Sequence, residues 1–142
     1  MTMASRKARQ PRAPARIGRV ARKTRETDVA VSLSLDGGAV RARTGIPFFD
    51  HMLDQLGRHG GLSLAVRAKG DLKVDAHHTV EDVGIAIGEA LRQATADKAG
   101  LSRYGHAVVP LDEALVEAVV DLSGRPHLAW RARLPSGKRF VG

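Results

Sequence analysis

The chain contains no cysteine, so disulfide frameworks and thiolate metal sites are both excluded. This agrees with a reducing, cytoplasmic setting. Aromatic residues make up only 4% of the sequence against 43% hydrophobic residues, so any core has to be filled by aliphatic side chains. No apolar run is long enough to span a bilayer, and the first residues lack the apolar segment of a secretory signal. Acidic residues are missing from residues 1–25, which carry nine Lys/Arg, whereas the rest of the chain holds fourteen basic and fifteen acidic groups. The net charge of +8 is therefore a property of the N-terminal stretch. A nucleic-acid binder driven by that tail would lose binding steeply with salt, but the near-neutral remainder makes nucleic acid an unexpected partner. A mitochondrial presequence would also be Arg-rich and acid-poor, but Pro11 and Pro14 oppose one long amphipathic helix. Residues 1–15 read as a disordered basic tail.

Ordered patterning is clear from residue 26 onward. In TDVAVSLSLDG, Val29, Val31, Leu33 and Leu35 fall on one face of a half-buried strand that ends in an Asp-Gly-Gly turn. AVRART returns as a second strand, giving a hairpin. Phe49, Leu53 and Leu56 recur at helical spacing, and Gly60-Gly61 provides a stop. LSLAVRAKGD alternates again, and LKV at 72–74 is a candidate edge strand. Val80, Val83, Ile87, Ala90, Leu91 and Ala94 predict a helix over about 79–97. The first unit thus reads β-β-α-β-α over residues 16–100. Residues 101–142 read as the start of a second, incomplete unit, with a strand in ALVEAVVDL, a turn at Ser-Gly-Arg-Pro and a return strand.

The stretch DAHHTVEDVGIAIGEAL (75–91) places two histidines side by side, with a carboxylate three positions after the second. His77 and Glu81 share a helix face, while His78 is rotated from His77 by roughly 100°. Adjacent imidazoles that diverge serve different ions better than one, and Glu81 is a turn away from both. Imidazole with carboxylate suits Mn, Fe, Zn or Ni. The alternative is a polar helix start in which Asp75, Glu81 and Asp82 answer the helix dipole. His51 lies at the polar edge of the first helix, near Asp50, Asp54 and Gln55. His59 closes that helix, where an imidazole commonly serves only the dipole. Arg103 and Arg125 stand beside turn residues, where a planar fork can meet a phosphate. Asp112 and Glu113 are candidate ion-pair partners for them. His106 and His127 carry no assignment.

TGIPFFDHMLDQLGRHGGL, DAHHTVEDVGIAIGEAL, RYGHAVVPLDEAL and DLSGRP, preceded by RETDV at 25–29, occur in this order. In order and spacing they resemble the imidazoleglycerol-phosphate dehydratases, over about residues 16–134. The resemblance implies a lyase of histidine biosynthesis. Its reaction would dehydrate D-erythro-imidazole glycerol phosphate to imidazole acetol phosphate through a dimanganese-bound imidazolate. It also implies an α+β fold duplicated internally, each half a four-stranded sheet with two helices on one face. The intact protein would be a cytoplasmic homo-oligomer, a 24-mer shell, with two Mn²⁺ per active site and ligands shared between half-repeats and subunits. Carried over by position, His51, His77, His78 and Glu81 are implied metal ligands, and Glu26 and Glu81 are the carboxylates implied to serve the chemistry. Gln55, His59, Arg103 and Arg125 are implied substrate contacts, the arginines at the phosphate.

A second His-His-x-x-Glu, expected in the family's other half, does not occur here. The chain is therefore expected to be a fragment or truncated product that supplies only part of each metal site. The alternative to an enzyme is a catalytically incomplete subunit that serves only in assembly.

Overall fold

The structure is a computed structural model and describes residues 15–132. All but the last residue of the expected tail at 1–15 lies outside them. Six strands and two helices follow in the order β1 (Ile17–Lys23), β2 (Thr27–Ser34), β3 (Val40–Arg43), α1 (Pro47–His59), β4 (Ser63–Gly70), α2 (His77–Thr95), β5 (Tyr104–Leu111) and β6 (Ala114–Asp121). The first four strands form one sheet in the order β1-β2-β4-β3, and β5 and β6 form a separate two-stranded sheet.

Both helices cover one face of the four-stranded sheet, giving the expected α+β arrangement. Val29, Val31 and Leu33 of β2 and Leu64 and Val66 of β4 point into a core closed by Leu53 of α1 and by Val83, Ala86, Ala90 and Ala94 of α2. These are the alternate positions of each strand and the i, i+3/i+4 positions of each helix. Small side chains let α2 lie close to the sheet: a Cβ at Gly18 of β1 would collide with the backbone carbonyl of Ala90. With few aromatics, contact is gained by close approach instead of large rings. α1 starts at Pro47, whose missing N–H costs nothing at a helix start, and it stops at Gly60. The open face of the sheet carries Arg19, Arg41, Arg43 and Arg67 around Ala21, Ala30, Ser32 and Ala65, forming a shallow concavity of about 660 Å³.

Three expectations are corrected. The strand after the Asp-Gly-Gly turn does not form a hairpin with β2. β4 lies between them, antiparallel to β2 and parallel to β3. β2 and β4 each have eight residues and pair along their whole length, whereas β3 has four, so the longer ladder takes the central position. The actual partner of β2 across a tight turn is β1, drawn from the Arg-rich stretch. Gly18, Val20 and Arg22 share one face of β1, too small and too polar a set to announce a buried strand. Finally, residues 72–74 form a turn instead of an edge strand.

The second unit also differs in register. β6 is the expected strand in ALVEAVVDL, but it pairs backward with β5 across a turn at Asp112-Glu113, where Asp112 has φ of 49°. No strand follows the Ser-Gly-Arg-Pro turn among the described residues, which reach 132. Every residue of β5 and β6 is exposed.

Candidate functional site

The candidate site gathers at one end of the four-stranded sheet. It is built from the β1–β2 turn, the β4–α2 loop and the first turn of α2. Asp75 Oδ1 accepts the backbone N–H of His77 at 2.7 Å, satisfying one of the free donors at the helix start. His77 Nε2 lies 3.4 Å from Glu81 Oε2 along the exposed side of α2. His78 turns the other way, and its Nδ1 meets the carboxylate of Asp71 at 3.1 and 3.2 Å. The two rings are 5.8 Å apart with planes inclined at 64°, so the pair diverges. The hydrogen bond to Asp71 raises the pKa of His78 above its usual value, with smaller contributions from the charges of Asp71, Glu26 and Glu81.

Glu26 stands in the turn beside this cluster. Its N–H donates to Thr24 Oγ1 at 3.2 Å, and its carbonyl accepts the N–H of Asp71 at 3.1 Å. Beneath it, Asp82 is buried and accepts hydrogen bonds from Thr27 Oγ1, from Arg22 Nε at 2.7 Å and from Thr24 Oγ1 at 3.3 Å. The Thr27 hydroxyl and the Arg22 guanidinium hold the Asp82 carboxyl below the ordinary aspartate range. In the sequence Asp82 passes as a dipole partner, yet it falls in the buried phase of α2 with Thr79, Val83 and Ala86. A carboxylate at a buried position demands partners, and that signal was readable. Asp71 gave no such signal, because Gly70-Asp71 reads only as a turn.

The remaining residues lie elsewhere. His51 is on the exposed side of α1 and makes no hydrogen bond or ion pair to another described residue. Gln55 Oε1 and His59 Nε2 are 2.9 Å apart, one helical turn from each other. Arg103 grips Asp121 with both Nε and a terminal nitrogen, at 2.7 and 3.1 Å, and its guanidinium lies 5.0 Å from the Tyr104 ring centroid. Its ionic partner is thus Asp121, not Asp112 or Glu113. Arg103 also lines a cleft of about 240 Å³ with Lys98, Leu101, Leu122 and Ser123. Arg125 follows that cleft in sequence, with its N–H on Ser123 Oγ at 3.2 Å. Lys98, a second cation at the cleft, carried no distinguishing pattern in the sequence.

Imidazole and carboxylate donors without thiolate fit a divalent ion such as manganese. His78 fits well, since a proton on Nδ1 shared with Asp71 leaves Nε2 free as an electron-pair donor. The set is nonetheless partial: among the described residues, no three His, Cys, Asp or Glu side chains converge on a point that could hold a metal ion. No helix among them is long and apolar enough to cross a membrane.

Residues 44–141 match the family model described as imidazoleglycerol-phosphate dehydratase. A protein of that name from Anaeromyxobacter sp. (strain Fw109-5) is 77% identical over 130 residues, covering 92% of this chain and 63% of the relative. Another from Parafrankia sp. (strain EAN1pec) is 63% identical over 114 residues, covering 80% of this chain and 58% of the relative. The crystal structure of the Staphylococcus aureus N315 imidazoleglycerol-phosphate dehydratase superposes with a TM-score of 0.75 at 39% identity, covering 87% of this chain and 68% of that one. The chain spans somewhat under two thirds of the length of the curated relatives it matches.

Proposed function

Because the chain belongs to the imidazoleglycerol-phosphate dehydratase family, we propose that it forms part of an enzyme that dehydrates D-erythro-imidazole glycerol phosphate to imidazole acetol phosphate. One observation carries this reading. The carboxylate of Asp71 bonds His78 Nδ1 and its backbone N–H bonds the main-chain carbonyl of Glu26, so the proposed metal-binding imidazole and the backbone of the proposed proton-transfer residue share one support. His51, His77, His78 and Glu81 would hold two Mn²⁺ ions. When bound, those ions supply positive charge that favours loss of a proton from the substrate's imidazole ring.

The chain's own residues do the rest. The hydroxyl that leaves is not next to a carbonyl, and the carbon-bound proton is not acidic, so proton transfer needs a placed group. Glu26 is that group, with Glu81 serving beside it at the metal. Arg103 and Arg125 bind the phosphate through charge-assisted hydrogen bonds, and Gln55 and His59 contact the rest of the substrate. In this reading the site is completed in a homo-oligomer, a 24-mer, with ligands from the other half-repeat and neighbouring subunits; among the described residues no three ligands converge. Cytoplasmic placement follows the reading as biosynthetic enzyme and agrees with the absence of cysteine.

Substrate turnover by the assembled protein is the test, before and after chelation and after Mn²⁺ is returned. Activity should vanish with chelation and come back with Mn²⁺. Full turnover in metal-free protein would sink the reading. An assembly inert even with Mn²⁺ would favour the purely structural subunit.

A further inference from the structure

Asp82 has no place in the reading above, although it is the buried carboxylate nearest to the candidate chemistry in sequence, next to Glu81 and one helical turn after His78. It is 7% exposed, and Thr27, to which it bonds, is 4% exposed. Isolated buried charge is costly, and a helix this well packed would be served more simply by an apolar residue there. The ion pair with Arg22 and the two hydroxyl hydrogen bonds satisfy Asp82, and all three partners flank the residue that carries the candidate proton-transfer group.

The connections form a closed path. Thr24 Oγ1 donates to Asp82 while accepting the N–H groups of both Glu26, at 3.2 Å, and Thr27, at 3.0 Å. The carbonyl of Glu26 is held by the N–H of Asp71. The backbone of Glu26 is therefore fixed on both sides, on one side through a hydroxyl that Asp82 orients. Glu26 is itself exposed, so no packing of its own fixes it. We propose that Asp82 is a positioning residue: by clamping Thr24 and Thr27 from α2, it sets the Glu26 carboxylate against the metal-binding end of that helix. This rests on the reading of Glu26 as the proton-transfer group.

The test is a double-mutant cycle in the Mn²⁺-loaded assembly, with kcat, KM and bound metal measured for each variant. Asp82→Asn should lower kcat by about ten- to a hundredfold, the scale of a misplacement near 1 Å. KM and metal content should stay within about twofold. In a Glu26→Gln background, Asp82→Asn should cost less than about twofold more, because the group it positions is already gone. Thr24→Val should repeat the kcat loss through a partly buried turn residue, and Thr24→Ser, which keeps the hydroxyl, should restore it. This pair decides the matter if Asp82→Asn does not fold. Additive losses in the double variant, or a Thr24→Val protein with unchanged kcat, would overturn the positioning role alone. A wild-type kcat in Glu26→Gln would remove the premise, and the proposal with it.

Discussion

β2 and β6 are both eight residues long and each collects apolar side chains on one face, but their surroundings are opposite. Val29, Val31 and Leu33 of β2 are at most 3% exposed under the helices. Val116 and Val120 of β6 are 63% and 53% exposed, beside Val109 of β5 at 60%. With Ala107 and Ala118 these side chains form a wholly apolar face on the hairpin, with no cover among the described residues. Such a pattern therefore says which face of a strand is to be buried, not what buries it. In the first sheet α1 and α2 follow the strands and supply the cover. A two-stranded hairpin alone is marginal in water, so the two regions should differ sharply in stability.

The largest expected effect tests that difference directly. Leu33→Ala should destabilise the chain by about 2–5 kcal/mol, while Val116→Ala should stay within about 0.5 kcal/mol, both read from denaturant unfolding. Equal losses would mean that the hairpin is buried in solution, and the contrast would collapse. Glycines give a smaller, matched pair. Gly18→Ala drives a methyl into the Ala90 carbonyl and should cost about 1–3 kcal/mol. Gly105→Ala in β5 meets nothing within 4 Å and should be nearly silent. If Gly18→Ala proved silent, α2 would lie too far from β1 for the Ala90 carbonyl to meet a methyl at residue 18.

The smallest effect distinguishes two carboxyls. Asp82 under α2 and Asp121 on the hairpin both have pKa values lowered from 3.8, the first mainly by the Thr27 hydroxyl and the second by the Arg103 guanidinium. A lowered folded-state pKa adds stability that is present above the unfolded value and lost as pH falls through the folded one. Thermal melts of metal-free protein on acidification below about pH 4 should show this loss, and Asp82→Asn should blunt it. Asp121→Asn should change the profile less, since water screens its pair at 51% and 40% side-chain exposure. An acid profile unchanged in Asp82→Asn would mean that its carboxyl is not held low.

Much of this was legible. The helix at 47–59 was readable from Phe49, Leu53, Leu56 and the paired glycines, and α2 starts two residues before the spacing places it. The divergence of His77 from His78 follows from helical geometry alone. Strand order was not legible, because β4 and β3 read equally well as neighbours of β2, and only the length of the ladder separates them. β1 was hidden by its glycine and arginines: Gly18 is buried only because α2 lies against it, and Arg22 is drawn in only by Asp82 across the fold. Local pattern carries no information about a buried carboxylate sixty positions away that pairs with Arg22 at the edge of the core.

The place of β4 in the sheet also has a consequence in time. The first edge of β2 closes on β1 across a three-residue turn, a local event. Its second edge closes only on Ser63–Gly70, after β3 and α1 have been made. On the ribosome, at about 5–20 residues per second, that edge stays open on the order of seconds. For that interval the nascent β1–β2 hairpin presents an unpaired, valine-rich strand to any neighbouring nascent chain. The spacing of nascent chains on a polysome then becomes a determinant of aggregation separate from the stability of the finished sheet.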